Sequence, residues 1–237
     1  MPAASIRARV RAEMTSEIKA VARRHLETDG ANLSLRAVAR DMGMVSSALY
    51  RYFSSRDQLL TALIVDAYNA LGETVETADG HVTDRSQLRA RWLAAARSIR
   101  GWALGQPAEY ALLFGSPVPG YAAPTETIVA AARTPIVLIG ILADGFASGA
   151  LRHCGGDRPA ARADARMTDA IRDDLSRARG DIAPGLPDQL MFAGIAGWIQ
   201  LFGVVSFELF GQFNNVVEAR AEFFDAQMEL MADLIGL

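Results

Sequence analysis

Between Leu33 and Leu60 the chain reads LSLRAVARDMGMVSSALYRYFSSRDQLL, concentrating arginine, serine and tyrosine with little acid. At helical spacing, Ser46, Ser47, Tyr50 and Arg51 share one face. Small hydroxyl residues let a helix approach base edges closely. Arginine clamps phosphate or makes bidentate contacts to guanine, and a tyrosine hydroxyl donates to phosphate oxygens. The chemistry on offer is anion and groove recognition, with no acid on that face.

Charge is distributed to match. The 237 residues carry a formal charge of −3. Residues 1–56, however, hold ten Lys/Arg against five Asp/Glu, and the remainder holds fourteen against twenty-two. A basic first quarter on an acidic body predicts an anionic partner for the N-terminus alone.

The elements that must position these residues read as helices. Ile6, Val10, Met14, Ile18, Val21 and His25 recur at three or four residues, and Asp29-Gly30 ends that run. Leu35, Val38, Ala39 and Met42 mark a short second helix with Ser34 as N-cap. Gly43 breaks it. Val45, Leu49, Tyr52 and Phe53 then line the core side of a third helix. SSRD, 54–57, opens a fourth, with Leu59, Leu60, Leu63, Ile64, Ala67 and Leu71 on its apolar side. Two short helices around a Gly-containing turn make a helix-turn-helix, whose second helix enters the DNA major groove. A helical hairpin with a solvated polar face has the same periodicity. The charge asymmetry, the turn glycine and the aromatic pair together favour DNA.

Beyond the turn ADGHVTD, 78–84, a helix runs through Leu88, Trp92, Ala95, Ile99 and Trp102. Another starts at Gln106-Pro107 and ends near Gly115, and 116–124 is a loop with three prolines. An apolar helix follows over 125–150, interrupted by Pro135. Cys154 to Pro187 reads either as a polar helix around 160–178 or as mobile chain. Helices over about 188–210 and 214–235 complete an all-α fold of about nine helices, without strands or internal repeats.

LRAVARDMGMVSSALYRYFSSRDQLL resembles the signature of the TetR family of bacterial transcriptional regulators. The resemblance rests on Ala39, Gly43, the run Leu49-Tyr50-Arg51-Tyr52-Phe53, Arg56, Asp57 and Leu59, and on looser likeness in EYALLFGSPVPGY and GWIQLFGVVSFELFG. It implies a three-helix DNA-binding domain over 1–56, a connecting helix over 57–78, and a ligand-binding and dimerisation domain over 79–237. It further implies that Ser34 caps helix two and touches phosphate, and that Arg36 reaches the backbone or a base edge. Val45, Ser46, Ser47 and Ala48 would face the groove. Tyr50 and Tyr52 would anchor phosphates, and Arg56 replaces the family's usual lysine. Val45 stands where a capping serine is common, so the third helix is expected to start one residue late.

Such a body implies a small-molecule inducer in a mostly apolar cavity. Trp102, Tyr110, Phe114, Phe146, Trp198 and Phe202 are the candidate walls, or else core filling, and Gln200 is one of few polar handles. Ala193, Gly194, Ala196, Gly197 and Gly203 would allow close helix approach in a homodimer formed through 188–210 and 214–235. The dimer would present two recognition helices to a pseudo-palindromic double-stranded operator. Ligand-relieved repression is the expected mode.

The remaining classes lack a constellation. G-x-S-x-G, P-loop and dinucleotide fingerprints are missing, so no enzyme and no cofactor is expected. Metal binding at His153 and Cys154 would need two further ligands, and only Asp157 is near. A single cysteine forbids an intrachain disulfide. Residues 1–30 contain no leader-like apolar run, and the expected location is the cytoplasm. Leu190–Leu209 is the one stretch near membrane-spanning length, and Gln200 at its centre favours a buried helix. The alternative function is a helical small-molecule or partner-binding protein that does not bind DNA.

Overall fold

The computed structural model describes residues 3–29, 33–151, 167–180 and 182–237. Among them are ten α-helices and one 3-10 turn, with no strand. The helices are α1 (Ala3–Asp29), α2 (Leu35–Asp41), α3 (Ser46–Leu49), α4 (Arg56–His81) and α5 (Leu88–Gly105). They continue with α6 (Pro107–Phe114), α7 (Ile128–Ala147), α8 (Asp169–Arg179), α9 (Asp188–Leu209) and α10 (Arg220–Ile235).

The chain divides into two units. One comprises Met1–Ala70 with Gln106–Ala131, the other Leu71–Gly105 with Ala132–Leu237. Helices α4 and α7 each contribute residues to both.

In the first unit, the periodic apolar residues meet. Ile18, Val21, Ala22 and Leu26 of α1 pack with Leu35, Val38 and Ala39 of α2, Leu49 and Phe53, and Leu59, Leu60 and Leu63 of α4. Burial of such side chains contributes about 1.5–3 kcal/mol each. The α1 stripe does not stay buried along its length. Ile6 and Val10 are half exposed, because α1 runs past the elements that cover Ile18 and Val21. The Ser34 hydroxyl accepts from the Ala37 N–H, capping α2. Gly43 has φ +65°, the left-handed turn that glycine adopts at least cost.

The second unit is organised by α5, α9 and α10. Trp92 is buried and its indole N–H donates to the Met228 carbonyl at 2.9 Å. Arg89 holds α10 to α5 through Glu229, Asp233 and the Leu237 carbonyl. A Cβ at Gly197 would meet Ile235 at 2.9 Å and Trp92 at 3.2 Å, and one at Gly194 would meet Leu142 at 2.5 Å. These glycines therefore serve close packing within the chain. Of the expected small-residue stripe, Gly203 is the glycine with open space beside it.

Several boundaries differ from expectation. Helix α4 continues through Ala78 to His81 instead of ending at a turn, because Asp79 is bound into the core of the second unit. Helix α10 starts at Arg220, since Gly211 and Asn215 adopt positive φ and break the run after α9. Of the segment Cys154–Pro187, helix α8 occupies Asp169–Arg179, with Thr168 as N-cap; 152–166 lie outside the described residues. Two stretches, Thr125–Ala147 and Asp188–Leu209, are long and apolar enough to cross a membrane by length and composition, where one was expected. Each buries one side in the body, and Arg133 in the first is ion-paired with Glu76.

Candidate nucleic-acid interface

Helix α3 is the centre of the basic first quarter. It is only four residues long, Ser46 to Leu49, with Val45 as its N-cap. The expected helix over Val45–Phe53 tightens after Leu49: the Arg51 and Tyr52 N–H groups bond carbonyls three residues back, at Ala48 and Leu49. This tightening lets Leu49 and Phe53 both reach the core. Val45, placed on the core side by periodicity, is instead 71% exposed, because it precedes the helix in extended conformation. That exposure is the placement the family resemblance implies.

The other predicted residues fall as follows. Ser47, Tyr50 and Arg51 are exposed, while Ser46 and Ala48 are partly covered. Tyr52 packs against the core of its unit, and the Arg11 guanidinium lies 5.2 Å from its ring centre. Arg36 is exposed. Arg56 is partly buried and donates from Nε to the Leu33 carbonyl at 3.1 Å, tying the start of α4 to the lead-in of α2.

Ser34, Arg36, Tyr50 and Arg56 line one groove, together with Ser54 and Ser55. The two serines were not singled out from sequence. Ser55 caps α4: its hydroxyl accepts from the Gln58 N–H at 3.1 Å, while the Gln58 side chain accepts from the Ser54 N–H at 2.7 Å. The pattern Ser-x-x-Gln was the available signal. The groove thus combines hydroxyls, two guanidinium groups and the N-terminal end of a 26-residue helix, a setting that favours phosphate oxygens.

Asp57, in the first turn of α4, lies 3.8 Å from Arg56 beside this groove, whereas three other acids of the unit are paired away from it. Asp66 pairs with Lys19 and Arg23, and Glu109 with Arg23 at 2.8 Å. Asp41 pairs with His25 at 2.8 Å, which accounts for a histidine on the inner side of α1. No acid lies among residues 45–51.

The six expected cavity residues are divided between the two units. Tyr110 and Phe114 belong to the first unit, where their rings lie 5.0 Å apart and Phe114 meets Tyr68 edge-on. Trp102, Phe146, Trp198 and Phe202 belong to the second. There a cavity of about 240 Å³ is lined by apolar groups of α7, α8, α9 and Ile182, including Pro135, Ile139, Leu142, Met191 and Trp198. Trp198 is the one expected residue in its wall, and Phe202 meets that indole edge-on at 6.2 Å. Gln200 points elsewhere, donating to Gln227 of α10 at 2.8 Å. His153, Cys154 and Asp157 lie outside the described residues.

Residues 18–63 match the family described as bacterial regulatory proteins, tetR family, and residues 92–231 match the tetracyclin repressor-like C-terminal domain. The HTH-type transcriptional regulator Rv1816 of Mycobacterium tuberculosis is 37% identical over 238 residues, covering 95% of this chain and 94% of its own. Mb1846 of Mycobacterium bovis, also described as an HTH-type transcriptional regulator, matches to the same extent. Among solved structures, SCO4313, described as a regulatory protein, superposes with a TM-score of 0.73 at 32% identity, covering 94% of this chain and 97% of that one. A short third helix with serines on it and tyrosine and arginine just after it, on an all-helical chain so matched at both ends, makes this protein a member of the TetR family, a DNA-binding transcriptional regulator and not an enzyme.

Proposed function

We propose that the protein is a repressor that binds a pseudo-palindromic operator as a homodimer in the cytoplasm, and that a small, uncharged, mostly apolar inducer releases it. Residues 1–56 would bind DNA, 57–78 would connect, and 79–237 would bind ligand and dimerise. Arg36, Ser47, Tyr50 and Arg51 would meet the duplex, with Ser34 and Arg56 shaping the groove beside them.

The observation that carries the inducer reading is the cavity beside Trp198. Its lining holds no charged side chain, so it would reject ions and accept a compact apolar molecule. The dimer reading is supported by α9. Phe192 and Ile199 are exposed and share a face with Gly203, spaced at i, i+7 and i+11. A continuous apolar stripe on a helix calls for a partner, and a two-fold partner offers the same stripe.

Because α4 is one helix with residues in both units, displacement of Leu71–His81 by a ligand would carry Arg56–Ala70 with it. Operator affinity would then fall by the ligand's differential affinity for the two states.

Footprinting of the purified protein on genomic fragments tests the reading. Paired half-sites about one DNA turn apart, or a multiple, are expected. Small uncharged aromatics that shift Trp198 emission should remove the footprint. Ile139→Trp, which fills the cavity, should bind the same operator and resist release. An Ile139→Trp variant released as readily as the parent would refute the cavity as inducer site.

A further inference from the structure

We infer that the projecting N-terminal turns of α1 form a second DNA-contacting element, in which Arg7 and Arg11 track phosphates flanking the segment read by α3. The inference rests on the assignment of the first unit to DNA binding.

Helix α1 is longer than its core requires. Its buried side begins at Met14 and Ile18, yet the helix starts at Ala3, and residues 6–13 are all exposed. Two solvent-bathed turns must be held by something other than packing, and one side chain supplies a tether. Arg11 donates from Nη2 to the Arg51 carbonyl at 3.1 Å, and its guanidinium lies over the Tyr52 ring. The projecting turns are thereby fixed beside the exposed face of the third helix, inside the same unit.

Arg7 lies one turn further out, at i−4 from Arg11, on the same side of the helix and about 6 Å along the axis. Arg7 forms no ion pair among the described residues. Arg9 is different. It points to roughly the opposite side of α1 and pairs with Glu13 at 3.6 Å. Beside Arg11, the short side chains Ala8, Ala12 and Thr15 leave a shallow groove ending at Lys19. One side of the projecting turns is therefore cationic and low in relief, and it continues from the recognition face. The other side is locally neutralised. A phosphate backbone complements the first side in charge, and contacts of this kind position a protein without reading sequence.

Salt-dependent binding tests this with two substitutions of equal charge change. Parent, Arg7→Gln and Arg9→Gln would be titrated against the footprinted operator and against a duplex of unrelated sequence, from 50 to 300 mM salt. For Arg7→Gln, the slope of log affinity against log salt should become shallower by about 0.9 per protomer, with the same loss on both duplexes. Arg7→Lys should restore the parental slope. Arg9→Gln should change the slope by less than half as much. Equal slopes for parent and Arg7→Gln, or equal effects of the two glutamines, would overturn the inference while leaving DNA binding by α3 intact. A parent that shows no salt-dependent binding to either duplex would remove the DNA-binding assignment itself.

Discussion

Arg91 of α5 and Asp79 near the end of α4 form an ion pair with Nε and Oδ1 2.8 Å apart, and Arg91 is only 2% exposed. The same guanidinium donates from Nη1 to Asp144 of α7 at 2.7 Å, and Arg85 also donates to Asp79. Parts of α4, α5 and α7 in the second unit are therefore held through one charge cluster centred on the buried Arg91. Burial alone would push the Asp79 carboxyl up and the Arg91 guanidinium down. The mutual hydrogen bonds outweigh it, holding Asp79 below and Arg91 above their ordinary values. Both stay charged.

Removing Arg91 leaves Asp79 with the half-exposed Arg85 as its remaining side-chain donor. Arg91→Ala should destabilise the protein by about 3 kcal/mol, the low end for breaking a buried ion pair, since Asp79 keeps that one cation. Thermal unfolding should show a midpoint lowered on the order of 10 °C. Arg177→Ala breaks an exposed pair with Asp174 and should shift the midpoint far less. Equal effects of the two changes would show that the buried cluster has no special structural weight.

The carboxyls of this region also set the acid limit. The hydrogen bond from Arg133 holds Glu76 below its ordinary value of 4.5 against opposing burial, and Asp79 is held below 3.8. A depressed folded-state pKa gives stability that is present above the unfolded value and lost as pH falls through the folded one. Stability should therefore decline from about pH 4.5 downward. Asp79→Asn, less stable at pH 7, should show a shallower decline over that range by chemical denaturation at stepped pH. An unchanged acid slope would exclude Asp79 as a contributor.

On α9, Ile199 is 66% exposed at the middle of the apolar stripe. If the proposed dimer forms through this stripe, Ile199→Asp should sediment as a monomer where the parent sediments as a dimer, and should bind operator more weakly, because each half-site would then be bound independently. A variant that sediments as the parent does would place the interface elsewhere.

The first unit was largely legible in sequence, because its elements are short, capped and locally determined. Ser34, Gly43 and the Leu49–Phe53 pair specify cap, turn and core without reference to distant residues. Arg11 was not legible: only folding brings it to Arg51, forty residues away. The lining of the cavity in the second unit was not legible for a related reason, Trp198 excepted. Large aromatics are equally suited to core and wall, and Tyr110 is fully buried within the first unit. The lining came instead from Pro135, Ile139, Leu142 and Met191, aliphatic residues with nothing in their spacing to mark them. Likewise, Gly194 and Gly197 signalled close approach correctly, but the neighbours are Leu142, Ile235 and Trp92 of the same chain.

The most direct test is a binding titration of the footprinted operator with parent, Tyr50→Phe and Arg51→Ala at stepped salt, with helicity checked by circular dichroism. If the exposed face formed by α3 and the turn after it, residues 46–51, meets the duplex, parental affinity falls steeply with salt. Arg51→Ala then binds at least tenfold more weakly and Tyr50→Phe more weakly than the parent, all at unchanged helicity. Parental affinity in both variants, or binding indifferent to salt, would contradict the account.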